Sequence, residues 1–111
     1  MKNKTLIKDI SCPVERTIEV IGDKWSILIL RELFLNGGSR KFKDFSDALT
    51  GISPNLLSTR IKKLCEYDVL ESRVYSEHPP RNEYVLTEKG QDIGSIVQGL
   101  RSWGNKHTKE N

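Results

Sequence analysis

Apolar residues recur along this chain at helical spacing in some stretches and cluster in short β-prone runs in others. Val14, Ile18 and Ile21 share one face of a helix opened by Pro13, and Gly22 is expected to end it in the left-handed conformation. Asp23 is placed to cap the next helix at once, so two helices meet at a sharp corner. That second helix, Lys24 to Leu35, is apolar almost all round and therefore belongs at the centre of a domain, with Trp25 as a core ring. Asn36-Gly37-Gly38 stops it, and Ser39-Arg40-Lys41 is expected to supply a short first strand. Leu70 to Ser76 and Asn82 to Leu86 read as strands, and the two prolines between them exclude helix and leave a stiff hairpin loop from Glu77 to Arg81. Thr87 caps one last helix, on which Ile93, Ile96, Val97, Leu100 and Trp103 form a long stripe. Residues 1–11 read as an arm with Leu6, Ile7 and Ile10 as its apolar anchors.

The middle of the chain is more specific. Phe42, Phe45 and Leu49 face inward from a short helix, and Thr50-Gly51-Ile52 makes a turn. Ser53 then caps a second helix that has Pro54 at its first position and Leu57, Ile61 and Leu64 as its buried stripe. A short helix, a tight turn with Gly and a capped second helix is the helix-turn-helix arrangement, here residues 41–67. The outward face of the second helix holds Asn55, Ser58, Thr59 and Lys62, and from Ser53 to Lys63 there are basic residues but no acid. Short amides and hydroxyls reach base edges in a major groove, and lysines reach phosphates. A hairpin directly behind such a helix is a wing, residues 70–86, with His78 and Arg81 at its tip placed for a minor groove or for phosphate. The expected DNA contacts are Arg40, Lys41, Ser53, Asn55, Ser58, Thr59, Lys62, Lys63, His78 and Arg81. Arg60 projects toward the flank of the buried stripe, so a bond to wing or backbone is an alternative for it.

Length and charge narrow the field without deciding it. At 111 residues this is one domain, and a net charge of +3 from 18 basic and 15 acidic side chains places the weight on where the charges lie. No apolar run of about 18 residues and no apolar leader is found, so a soluble cytoplasmic protein is expected, with no membrane partner. Cys12 and Cys65 lack metal-ligand spacing and His78 and His107 lie far apart, so neither metal nor cofactor is expected. No catalytic triad or phosphate loop can be written down, which argues against an enzyme. A winged-helix module that binds protein is the remaining alternative, and Asn55, Ser58, Thr59 and Lys62 on one side with no acid among them argue against it.

The runs Cys12-Pro13-Val14-Glu15-Arg16-Thr17-Ile18, Ile21-Gly22-Asp23-Lys24-Trp25, Leu30-Arg31-Glu32-Leu33, Leu57-Ser58-Thr59-Arg60-Ile61-Lys62, Pro79-Pro80-Arg81 and Leu86-Thr87-Glu88-Lys89-Gly90 resemble the HxlR family of transcription regulators, relatives of the MarR winged helices. The resemblance implies an α+β fold over residues 12–107, a winged helix-turn-helix with N- and C-terminal dimerisation helices. It also implies a homodimer that binds pseudopalindromic operators in double-stranded DNA. The stripe on the last helix, residues 87–105, points the same way, since the second helix already fills the centre. Val14, Ile18, Ile93, Ile96, Val97, Leu100 and Trp103 are the expected interface. The sequence departs from the family at Asp68, where a glycine is usual and Asp tolerates the left-handed region, at Asn82 and at Cys65.

Cys12 immediately precedes Pro13. From the residues alone it fits equally a small apolar filler at a helix start and a thiol activated by the helix dipole with Arg16 one turn in. Several family members carry a reactive cysteine just before the first helix and respond to quinones, aldehydes or oxidants, and the resemblance places Cys12 in that role. The expected effector is therefore an electrophile or oxidant, with a small molecule at the dimer interface as the alternative. Cys65 is expected to be a partly buried bystander.

Overall fold

The apolar second helix does fill the centre. A computed structural model describes residues 7–109 and holds α1 (Pro13–Ile21), α2 (Lys24–Leu35), β1 (Ser39–Lys41), α3 (Phe42–Ala48), α4 (Pro54–Glu66), β2 (Leu70–Glu77), β3 (Pro80–Leu86), α5 (Glu88–Gln91) and α6 (Gly94–His107). Asp23 caps α2, its carboxylate accepting from Ser26 N. Ile29, Leu30 and Leu33 of α2 are buried against Phe45, Leu49, Leu57, Ile61, Leu64, Val69, Leu70 and Leu86, with Trp25 packed at the edge of that core. Removing such side chains from water is the main force holding the elements together.

The sheet has strand order β1-β3-β2, antiparallel throughout, with Arg40 opposite Tyr84 and Leu70 opposite Leu86. Register shifts between Val74 and Ser76, a bulge that leaves Tyr75 without an opposite residue. The strands run further than expected, and the five-residue loop narrows to His78 and Pro79, joined by a cis peptide bond. Pro80 is accommodated as the first residue of β3, where a missing N–H is tolerated.

Two expectations about helix ends change. Gly22 has φ −78° and ψ 8°, outside the left-handed region. Glycine is needed there for space, because a Cβ would collide with the Ile18 carbonyl oxygen and stand 2.6 Å from Ile18 Cγ2. The last helix is also not continuous. Thr87 caps only the single turn α5, its Oγ1 accepting from Gly90 N at 2.9 Å and donating to the Asp68 carbonyl at 2.6 Å. Gly90 is pressed onto the Val69 carbonyl so closely that a Cβ would overlap it, and the chain re-enters helix only at Gly94, whose missing side chain leaves room for the Phe34 ring. Of the arm, Leu6 lies outside the described residues, while Ile7–Asp9 forms a 3-10 turn. Asp68 does take the left-handed conformation, with φ 65°.

Candidate nucleic-acid interface

Helix α4 separates its two faces as the spacing required. Leu57, Ile61 and Leu64 are buried, whereas Ser53, Asn55, Ser58, Thr59 and Lys62 are exposed. Ser53 Oγ accepts from Leu56 N at 3.1 Å, so this hydroxyl already serves the helix end. Thr59 Oγ1 donates to the Asn55 carbonyl at 2.9 Å, which leaves the oxygen lone pairs and the methyl group facing outward. On the wing, His78 and Arg81 are exposed at the tip. Lys41, also exposed, rests its ammonium 4.5 Å from the centre of the Tyr75 ring and so joins the helix-turn-helix to the wing.

Two of the expected cations are paired with carboxylates of the scaffold. Arg40 bonds Glu32 Oε1 at 3.2 Å and lies 3.8 Å from Asp44 Oδ2, with its Nε buried and unpartnered. Glu32 is only 8% exposed and is also held by Arg31 at 2.9 Å, so a carboxylate buried on α2 recruits the guanidinium that follows it onto β1. Lys63 places its ammonium 3.3 Å from Asp23 Oδ1. Arg60 goes to the same carboxylate, Nε to Oδ2 at 2.9 Å, rather than to wing or backbone.

Asp23 thus does more than cap α2. It receives Ser26 N at 3.0 Å and Ser26 Oγ at 2.6 Å in addition to the two cations from α4. Burial by itself would raise this carboxyl, but the Ser26, Arg60 and Lys63 bonds outweigh it and hold the group well below the usual carboxylate range. Sequence reading recognised the cap and missed the ion pairs, which span 37 and 40 residues of chain. The one available signal was an arginine at the flank of a buried stripe, a position that calls for an anion nearby.

The surfaces expected to meet a second copy divide. Val14 and Ile18 on α1 are 66% and 57% exposed, and Ile96, Leu100 and Trp103 on α6 are likewise open, whereas Ile93 and Val97 pack against the chain's own core. Trp103 sets its ring beside that of His107 on the same helix, with ring centroids 5.1 Å apart. Between α1, the end of α4 and the α5–α6 junction lies a cleft of about 480 Å³, walled by Val20, Ile21, Val69, Ile93 and Ile96 and edged by Arg16 and Lys89.

Cys12 is half-buried at the cap position of α1. The Arg16 guanidinium donates to the Ile10 and Ser11 carbonyls, which ties the preceding turn to α1. Cys65 is half-buried as expected, and burial, then the Glu66 carboxylate, pushes its thiol up. Among the described residues no His, Cys, Asp and Glu side chains group as a metal site, and no helix is long and apolar enough to cross a membrane.

Known proteins of the same build bear on these features. The profile of the HxlR-like helix-turn-helix family matches residues 20–111. An uncharacterised HTH-type transcriptional regulator of Synechocystis sp. is 37% identical over 94 residues, covering 85% of this chain and 68% of that protein. The redox regulator HypR in its reduced form superposes with a TM-score of 0.81 at 30% identity, over 88% of this chain and 95% of HypR. The reduced form of the transcriptional regulator YodB from Bacillus subtilis does so at 0.72 and 29%, again over 88% of this chain and 95% of the other. With the capped α4, its polar outer face and the hairpin behind it, these matches establish that the chain belongs to the HxlR-like helix-turn-helix family and is a DNA-binding transcriptional regulator rather than an enzyme.

Proposed function

We propose that this regulator acts as a homodimer on a pseudopalindromic operator, with α4 in the major groove of each half-site. The observation that carries the proposal is the outer face of α4, where Asn55, Ser58 and Thr59 stand exposed together with Lys62 and the first acid, Glu66, comes only at the last residue of the helix. Asn55, Ser58 and Thr59 read base edges. Lys41, Ser53, Lys62, His78 and Arg81 hold the backbone, His78 and Arg81 from the wing. The dimer forms through Val14 and Ile18 of α1 and Ile96, Leu100 and Trp103 of α6, whose exposure would otherwise leave large apolar side chains in water. The twofold then sets the recognition helices about 34 to 36 Å apart, one turn of DNA. Selection of duplexes from a random library tests this. The expected winner is an inverted repeat with half-sites one turn apart, and enrichment of unpaired single sites would overturn the reading.

Cys12 is the sensor in this proposal. Its thiolate adds to an electrophile such as a quinone, the new S–C bond forming as a ring C=C electron pair shifts to the carbonyl oxygen, which takes a proton from water to leave the hydroquinone adduct. Because Cys12 opens a dimer helix, the adduct alters the spacing of the two α4 helices. HypR and YodB, redox and transcriptional regulators of the same fold, support a thiol-based response. Mass spectrometry of quinone-treated protein, followed alongside DNA binding, is expected to find Cys12 modified before Cys65 and affinity changed in step; retention of the response by Cys12→Ser would remove the role. The cleft between α1 and the α5–α6 junction favours a second reading, a small-molecule effector beside the dimer face, since Ile96 belongs to both.

A further inference from the structure

Two of the tertiary bonds made by α4 run to neither the sheet nor the wing. Arg60 and Lys63 lie on the flank of the recognition helix, one residue either side of Ile61 and Lys62, and both end on Asp23 at 2.9 and 3.3 Å. Asp23 is itself immobilised by both the backbone and the hydroxyl of Ser26, a residue fully buried in the first turn of α2. It occupies the corner between α1 and α2, so the corner and the recognition helix are joined through one carboxylate. A bidentate carboxylate with a fixed base constrains both the axial position and the rotation of α4, because its two cations stand a helical turn apart in projection and cannot both be satisfied in another register.

The geometry points to Asp23 as a positioning residue for the recognition helix, one that also keeps the Arg60 and Lys63 cations away from the DNA backbone. This rests on the proposed placement of α4 in the major groove. Two consequences follow for binding. Base reading requires α4 to hold its rotation, so loss of the clamp lowers the preference for operator over random DNA. Withheld cations contribute nothing to counterion release, so their liberation strengthens and steepens salt-dependent binding to any sequence. A cap alone would produce neither effect.

Asp23→Asn separates these possibilities, since Asn caps a helix about as well as Asp but offers no charge to Arg60 and Lys63. Binding is measured by fluorescence anisotropy across a salt series, on a duplex selected by the wild-type protein and on a random duplex of equal length. The variant is expected to lose about tenfold in the operator-to-random ratio, comparable to one mismatched base pair. Its log–log salt slope on random DNA is expected to steepen by about one for each liberated cation. Adding Arg60→Gln and Lys63→Gln to Asp23→Asn is expected to restore the wild-type slope while the ratio stays low, a pattern that general loosening of the fold does not produce. Should Asp23→Asn fail to fold, Arg60→Gln with Lys63→Gln in the wild-type background breaks the clamp from the helix side, and the ratio is expected to fall without a steeper slope. An unchanged ratio in the folded variants overturns the inference while leaving the placement of α4 intact. A wild type that selects no duplex overturns that placement and the inference together.

Discussion

Helices α4 and α6 carry apolar stripes of the same kind, and the fold treats them in opposite ways. Leu57, Ile61 and Leu64 of α4 are at most 3% exposed, whereas Leu100 and Trp103 of α6 are 48% and 63% exposed. The spacing is equally helical in both. A stripe therefore states that a helix needs a partner and says nothing of whether the same chain supplies it. The α4 stripe meets α2, apolar almost all round, while α6 meets α2 where Gly94 lies against Phe34, packs Val97 against the core and leaves Leu100 and Trp103 exposed.

The sharpest way to break this comparison is to truncate one side chain in each stripe. Leu64→Ala is expected to destabilise the fold by about 2 to 5 kcal/mol, the range for emptying a close-packed site. Leu100→Ala, measured by urea denaturation at a concentration low enough to disfavour association, is expected to change stability by less than about 0.5 kcal/mol, as for an ordinary surface substitution. Equal losses in the two variants would mean that α6 is held by its own chain.

A second experiment turns the α6 stripe against the proposed dimer. Ile96→Glu with Leu100→Glu is expected to leave a folded monomer in sedimentation, with operator affinity reduced at least about tenfold because one half-site is no longer tethered to the other. A wild type that sediments as a monomer at micromolar concentration would sink the dimer outright.

The outer face of α4 tests the other half of the comparison, since its residues face away from the stripe. Lys62→Ala should weaken operator and random DNA alike and flatten the salt slope by about one. Thr59→Ala should change preference at a particular base pair by about 1 kcal/mol, the low end of the usual range, because the Thr59 hydroxyl already donates its proton to the Asn55 carbonyl. Equal loss on all sequences in Thr59→Ala would remove it from base reading.

The last effect concerns acid. The folded Asp23 carboxyl lies below its unfolded value of about 3.9, so its ionised form stabilises the protein fully above that pH and the contribution is withdrawn as pH falls from there. Asp23→Asn is therefore expected to cost about 1 to 2 kcal/mol at neutral pH, and the gap to wild type should narrow below about pH 4. Denaturation curves that remain parallel between pH 7 and pH 3 would contradict this.

Much of the fold was legible locally. The Ser53-Pro54 start, the Asp23 cap and the Asn36-Gly37-Gly38 stop depend on bonds closed within a few residues, and the structure has them where the pattern placed them. The expected single last helix was not, because the break after α5 comes from Gly90 lying against Val69 and Gly94 against Phe34, partners 21 or more residues away whose approach no local signal records. The same limit explains Arg40 and Lys63. As residues they look like free cations near a binding face, and only the packing of α2 against β1 and α4 brings Glu32 and Asp23 within reach of them.

Sequence by itself determined the order of the elements from α1 to β3, the two faces of α4 and the family, since helix periodicity, caps and turn residues act over a few residues and are written in consecutive letters. Tertiary structure alone decided which cations pair with buried or capping carboxylates, which half of the α6 stripe is exposed and which carboxylate receives Arg60 and Lys63. Those outcomes depend on distances between residues remote in the chain, and a charge or an apolar side chain acquires its role only once its neighbours in space have been settled.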